Sequence, residues 1–275
     1  MRAAFVIARQ EFLDALRNKW VLSATLVLAG FALTLAYLGS APVGTVGVAP
    51  LGVTVVSLSS LTVFLLPLLG LLLSYDAVVG ESERGTLLLL LSYPVRRWQF
   101  LMGKFLGHLV VLTVAVVMGY GAAGLFAAWQ LDNITAQEAC AYGVMMASSI
   151  LLGAVFVGLG YTISSFVRER ATAAGMALSV WLGLVVIYDF ILLGVLTKGG
   201  DFLGNGLFNG LLLANPADAY RLLNLSSFDV TANLTGMAGL ASNGQATAIA
   251  SLISLALWVA VPTVVAGLIF SRREP

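Results

Sequence analysis

The side chains with chemical potential in this sequence gather between positions 76 and 107. The stretch opens acidic with Asp76, Glu81 and Glu83, and passes through Arg84, Gly85 and Thr86 into the apolar run Leu87–Leu91. It breaks at Tyr93-Pro94 and turns basic at Arg96, Arg97 and Lys104. No catalytic set accompanies these charges. His108 is the only histidine, which excludes an H-E-x-x-H zinc helix and disfavours a histidine-based triad. Four residues after Lys104 at the start of an apolar segment, it is expected to make a structural polar contact. There is no G-x-x-x-x-G-K-[ST], so the chain does not hold a nucleotide through a phosphate loop. The single Cys140 excludes an intramolecular disulfide and a multi-cysteine metal site. Cys140, Met145 and Met146 are soft ligands that would suit Cu(I), but packing or lipid-facing roles are the expectation in so apolar a chain.

Asp189 is the one carboxylate well inside an apolar segment. Intramembrane acids are rare and face the bundle interior or a cavity, so proton coupling is the sharp interpretation. Against it, the sequence shows no second intramembrane acid and no basic partner nearby, and Asp189 lies about two turns from the outer end of its segment.

Composition explains this scarcity. Of the 275 residues, 60% are hydrophobic and 10% charged, where soluble domains carry roughly 45–50% and 25%. This is the composition of an integral membrane protein. A net charge of +1 gives no basis for a nucleic-acid partner.

Six segments are long and apolar enough to span a bilayer: about Trp20–Leu38, Leu51–Tyr75, Phe105–Trp129, Ala141–Val167, Ala173–Leu196 and Ala246–Phe270. Twelve of the 14 Lys and Arg residues fall on one side of that topology, leaving Lys198 and Arg221 on the other. By the positive-inside rule both termini are cytoplasmic. The expected fold is therefore an all-α integral membrane domain, residues 1–275, with six transmembrane helices.

The connecting segments add detail. Residues 3–19 predict an amphipathic helix, with Phe5, Ala8, Phe12, Leu13, Ala15, Leu16 and Trp20 on one broad face and Gln10, Glu11, Asp14, Arg17 and Asn18 mostly opposite. Arg9 and Lys19 intrude on the apolar face and would have to snorkel. The acids Glu11 and Asp14 favour an uncleaved anchor over a signal peptide. Pro67 is expected to kink the second span. Gly103-Lys-Phe-Leu-Gly107, Ala154-Val-Phe-Val-Gly158 and Ala173-Ala-Gly-Met-Ala177 have the small-xxx-small spacing of close helix packing and imply tight bundling.

Residues 76–104 form the charged cytoplasmic loop. Its leucine run is far too short to span a bilayer and predicts a short helix held at the membrane surface or docked into a partner. Residues 197–245 form the longest outer loop. Within it Asn215-Pro216-Ala-Asp218 is a helix start, with Asn as N-cap and Pro in the first turn, predicting a helix over Ala217–Leu225 with Asp218 and Arg221 paired at i, i+3. This loop is expected to be an ordered outer surface open to a partner. Asn133, Asn224 and Asn233 head N-x-[ST] triplets on the same side.

The segment Gly80-Glu-Ser-Glu-Arg-Gly-Thr-Leu with Leu-Leu-Ser-Tyr-Pro-Val-Arg-Arg resembles the membrane subunits of ABC-2-type transporters, and the N-terminal helix is similar to their elbow helix. The resemblance implies that Glu81, Glu83, Arg84, Gly85, Thr86, Leu87, Tyr93 and Pro94 form the coupling helix that docks onto a separate ATPase. Ser59-Ser60-Leu61, Phe64-Leu65-Leu66-Pro67-Leu68, Gly103-Lys104-Phe105-Leu106-Gly107-His108 and Asn215–Ser226 narrow it to the permeases of the Nos branch, which matures the copper centres of nitrous oxide reductase.

That branch implies two copies of the chain in the inner membrane, two cytoplasmic ATPase subunits holding ATP and Mg, and a periplasmic β-helical protein that handles copper. It also implies that Asn215, Pro216, Asp218, Tyr220, Arg221 and Asn224 meet the periplasmic partner, and that the chain binds no cofactor itself. For lack of a metal-ligand path through the spans, mechanical transmission is preferred to copper transport. A generic exporter of lipid, drug or glycan is the alternative. A secondary transporter using Asp189 comes third, since it would call for paired intramembrane charges.

Overall fold

A computed structural model describes residues 2–17, 19–39, 50–92, 95–130, 134–199, 205–226 and 244–272. Among these residues the chain is helical, with no strand. Helices α1 (Arg2–Arg17), α2 (Lys19–Gly39) and α3 (Pro50–Ser74) lead to two short helices, α4 (Val79–Glu83) and α5 (Thr86–Ser92). Then follow α6 (Arg97–Gln130), α7 (Ala136–Phe166), α8 (Arg170–Leu182), a π-helical turn at Gly183–Ile187, α9 (Tyr188–Gly199), α10 (Asn205–Ala214), α11 (Pro216–Ser226) and α12 (Gly244–Arg272).

Six helical stretches among the described residues are long and apolar enough to cross a membrane: Val21–Leu38, Thr54–Glu83, Arg97–Gln130, Ala136–Phe166, Arg170–Val195 and Ala246–Arg272. Each overlaps one of the six segments expected from hydropathy, with shifted ends. α7 is the hub, with 61% of its apolar window buried, against 17% for α2, 11% for the α8–α9 stretch and 17% for α12. The outer helices therefore turn large apolar side chains such as Leu26, Phe190 and Leu257 outward, as a hydrocarbon surround allows.

α7 packs between α3 and α12, while α1 and α2 lie along α6. The α3–α7 contact is close because Gly70 has no side chain: a Cβ there would stand 2.9 Å from the Gly153 carbonyl oxygen. Pro67 lies inside α3 and deprives the preceding turn of a donor. In that turn the Trp181 indole of α8 donates to the Phe64 carbonyl at 3.1 Å.

Two boundaries differ from the sequence expectation. α6 begins at Arg97 instead of Phe105, so its 34 residues extend roughly 50 Å and the basic residues Arg97 and Lys104 belong to the helix, not to the loop. α7 begins at Ala136 because Thr135 and Glu138 form a capping box: Glu138 N–H donates to Thr135 Oγ1 at 3.3 Å, and Thr135 N–H to Glu138 Oε2 at 2.9 Å. At the far end of the chain, the Arg97 guanidinium donates to the Phe270 and Ser271 carbonyls at 3.1 Å each, closing the C-terminus of α12 against the start of α6.

Candidate functional site

The charged stretch folds as two short helices joined by a tight turn. Gly85 sits at φ 71°, a left-handed backbone that glycine adopts without the Cβ penalty. The turn before α4 is held from α7, where Ser164 Oγ accepts the Val78 and Val79 N–H groups at 2.9 and 3.1 Å. Leu87 is buried and anchors α5 to the main core, while Leu88 and Leu89 are 58% and 67% exposed. Glu83 and Arg84 are also exposed. α5 thus presents a surface of leucines flanked by charge at its N-terminal side.

Glu81 faces the other way. Its carboxylate takes the Lys104 ammonium at 3.2 Å, the Arg84 guanidinium at 3.5 Å and the Thr86 hydroxyl. Lys104 also pairs with Glu11 of α1 and lies 5.5 Å from the Phe100 ring centre. One turn along α6, His108 Nε2 lies 3.5 Å from Glu11, and its Nδ1 shares a 2.9 Å hydrogen bond with the buried Tyr161 hydroxyl of α7. The structural role expected of His108 is the one observed.

Burial raises the Glu11 carboxyl pKa, but the His108 hydrogen bond and the Lys104 charge outweigh it and hold the pKa down at about 2.

α1 reaches this network because Gly103 and Gly107 open a groove on α6. A Cβ at Gly103 would lie 2.8 Å from the Ala4 carbonyl, and one at Gly107 2.6 Å from Glu11 Cβ. The Gly103–Gly107 spacing therefore has a specific partner, the N-terminal helix. A further ion pair, Arg170 of α8 to Asp76 at 2.6 Å, and the Arg170 N–H bond to Glu83 Oε1 at 2.7 Å tie α8 to the same place. These groups border a cavity of about 570 Å³ between α1, α3, α4, α6 and α8.

Of the residues expected to couple to an ATPase, the structure brings Glu81, Glu83, Arg84, Gly85, Thr86 and Leu87 together. Tyr93 and Pro94 lie outside the described residues. Glu11, Lys104 and Arg170 join the site unforeseen. The signal available for Lys104 was its position inside a Gly-x-x-x-Gly stripe.

At the opposite end α11 starts and caps as expected: Asn215 Oδ1 accepts the Ala217 N–H at 2.9 Å, and Asp218 meets Arg221 at 2.8 Å. Its residues were expected on an outer docking surface for a periplasmic partner, and most of them are covered. Asn215, Pro216, Asp218, Tyr220 and Asn224 are buried within the chain, because α11 inserts among α3, α7 and α12. Asn215 Nδ2 donates to the Leu184 carbonyl of the π turn at 2.7 Å; Tyr220 bonds Ser149 at 2.9 Å and Asn224 bonds Ser148 at 3.0 Å. A buried, hydrogen-bonded Asn224 is no glycan acceptor, and Asn133 and Asn233 lie outside the described residues.

The expectation for Asp189 does need a correction. Arg221 donates to it at 2.7 Å, so a basic partner is present, supplied by a helix 32 positions away. The soft-ligand cluster does not form: Cys140 is exposed while Met145 is buried on another side of α7, with Met146 only partly covered. Among the described residues no group of three or more His, Cys, Asp or Glu side chains could hold a metal ion.

Comparison with known proteins agrees with this geometry. The family model described as "ABC-2 family transporter protein" matches residues 5–274. Two curated relatives, both described as "Probable ABC transporter permease protein NosY", are similar over 274 residues, 99% of this chain and 99% of theirs. The one from Pseudomonas aeruginosa is 44% identical and the one from Stutzerimonas stutzeri 42%. With an elbow-like α1, six spans and a paired short-helix segment between the second and third, this chain belongs to the ABC-2 family of transporter proteins.

Proposed function

We propose that the chain is the membrane-spanning permease subunit of an ABC transporter of the Nos type, acting as a homodimer in the inner membrane with both termini cytoplasmic. A separate cytoplasmic ATPase, holding ATP and Mg, grips α4–α5 at the exposed Glu83, Arg84, Leu88 and Leu89. The work crosses the membrane to a periplasmic β-helical, copper-handling partner and serves maturation of the copper centres of nitrous oxide reductase. The kinship to the two NosY permeases supports the assignment to that system.

The observation that carries the coupling role is the Glu81–Lys104–Glu11 chain of ion pairs. A force on α5 is passed through α4 to α6 and α1 by these bonds, to α7 by Ser164 and to α8 by Arg170. A packed helix responds as a rigid body, so α6 and α7 deliver the displacement to the far end of the bundle. There α7 meets α11 through Ser148 and Ser149. In this reading α11 is an internal strut that shifts with α7, and its side chains do not themselves meet the periplasmic partner.

Affinity purification of the tagged chain from its host in mild detergent, with each co-purifying protein identified by mass spectrometry, tests the proposal. An ATPase together with a periplasmic β-helical protein is expected. An ATPase without the periplasmic protein would overturn the Nos-type assignment, and no ATPase would overturn the coupling role.

A further inference from the structure

The far end of the bundle holds a charge imbalance that the coupling role does not use. Arg221 Nη1 donates to Asp189 Oδ2 at 2.7 Å and to Asp218 Oδ1 at 2.8 Å, so two carboxylates close on one guanidinium nitrogen. Their outer oxygens, Asp189 Oδ1 and Asp218 Oδ2, are buried and have no hydrogen-bond partner among the described residues. Asp218 is 3% exposed. A buried carboxylate oxygen without a donor is costly, and two of them beside a single positive charge more so.

Among the described side chains no other charge balances the pair; that of Lys198, on α9, lies outside them. Tyr188 on α9 donates to the Leu211 carbonyl at 2.7 Å, and Tyr220 on α11 is engaged with Ser149. α3, α10 and the π turn contain no Asp, Glu, Lys, Arg or His, and Arg272 on α12 sits at its last turn. On α7, Glu138 caps its own helix and Tyr142 donates to the Tyr120 carbonyl at 2.7 Å.

We propose that Asp189 and Asp218 hold one proton between them, forming a protonation site that latches α11 to α9. Uptake of a proton from water converts one carboxylate to a carboxylic acid. Its O–H then donates to the neighbouring carboxylate, and the site passes from a net charge of −1 to neutral. An unpartnered oxygen gains a donor without loss of either bond to Arg221. Burial, and next the Asp189 charge, raise the Asp218 carboxyl above its ordinary range, in the direction the geometry requires. The site lies 19 positions along the α8–α9 stretch from Arg170, roughly 28 Å from the coupling end, and does not depend on the identity of the ATPase.

The test is infrared difference spectroscopy of the full chain in lipid nanodiscs, titrated from about pH 5 to about pH 9. Wild type should show a carboxylic-acid carbonyl band that shifts in D2O and disappears as pH rises. Both Asp189→Asn and Asp218→Asn should abolish it, since either leaves one carboxylate paired with Arg221. If Asp218→Asn does not fold, Asp189→Asn decides alone. Asp189→Asn should also raise the unfolding temperature at about pH 8 and leave it unchanged at about pH 5, because only the doubly ionised pair is relieved. A band identical in wild type and variant would overturn the proposal. So would loss of the band on adding NaCl at fixed pH, which would make the pair a cation site instead.

Discussion

The Lys104 ammonium lies 3.2 Å from the Glu81 carboxylate, joining the short helix that follows the second span to the first turns of the third. Glu11 completes the bridge from the N-terminal helix. Lys104 is nearly buried, at 8% exposure, with both acids largely covered, so removing its charge leaves two carboxylates facing each other. Lys104→Met is expected to destabilise the fold by roughly 2–4 kcal/mol, lowered from the fully buried range for partial hydration. Thermal unfolding in detergent measures this, and Lys104→Arg should recover part of the loss.

Leu88 and Leu89 have the opposite character. Both are exposed on α5 while Leu87 anchors it. Leu88→Glu with Leu89→Glu should change stability by no more than about 0.5 kcal/mol per substitution. Retention of the ATPase subunit on the tagged permease should nevertheless fall at least tenfold. Unchanged retention would free α5 from the contact.

Gly85 is a turn that a side chain strains without colliding. A Cβ there meets no atom within 4 Å, yet the φ of 71° disfavours any L-residue. Gly85→Ala should cost about 1 kcal/mol and Gly85→Val more. ATPase stimulation by the permease should drop in that order while the amount inserted into membranes stays constant.

The Glu11 pair sets an acid limit. Its folded pKa of about 2 lies below the ordinary carboxylate value, so its contribution is complete above about pH 4.5 and is lost as pH falls toward 2. The integrated effect is on the order of 3 kcal/mol. A spin-label distance between α1 and α6 should stay fixed down to about pH 4 and lengthen below it. In Lys104→Met the lengthening should begin at higher pH.

The six spans, the Asn215 cap and the Asp218–Arg221 pair were legible in the sequence because each is written in local spacing. The partners of Glu11 were not. A helical wheel places Glu11 opposite Phe5 and so assigns it to water. In the membrane the preference inverts: Phe5, 73% exposed, can face lipid, while Glu11 turns to the groove over Gly103 and Gly107. The same inversion hid α11. Its polar residues resembled a surface helix, yet Asp218 pairs with Arg221, Asn215 bonds the π turn and Asn224 bonds α7, which lets the helix sit inside. Asp189 seemed unpaired because Arg221 reaches it from a helix that sequence order places in a loop. The capping box at Thr135 and Glu138 could have been found from its T-x-x-E spacing.

The most direct test of the account is a photo-activatable side chain placed at Leu88 or Leu89 of the full chain in its own host, with the cross-linked product identified by mass spectrometry. The account predicts a covalent product with an ABC ATPase subunit, and none from the same probe at Leu257, an exposed apolar position on α12. Cross-links from α5 to lipid with no ATPase product would contradict it.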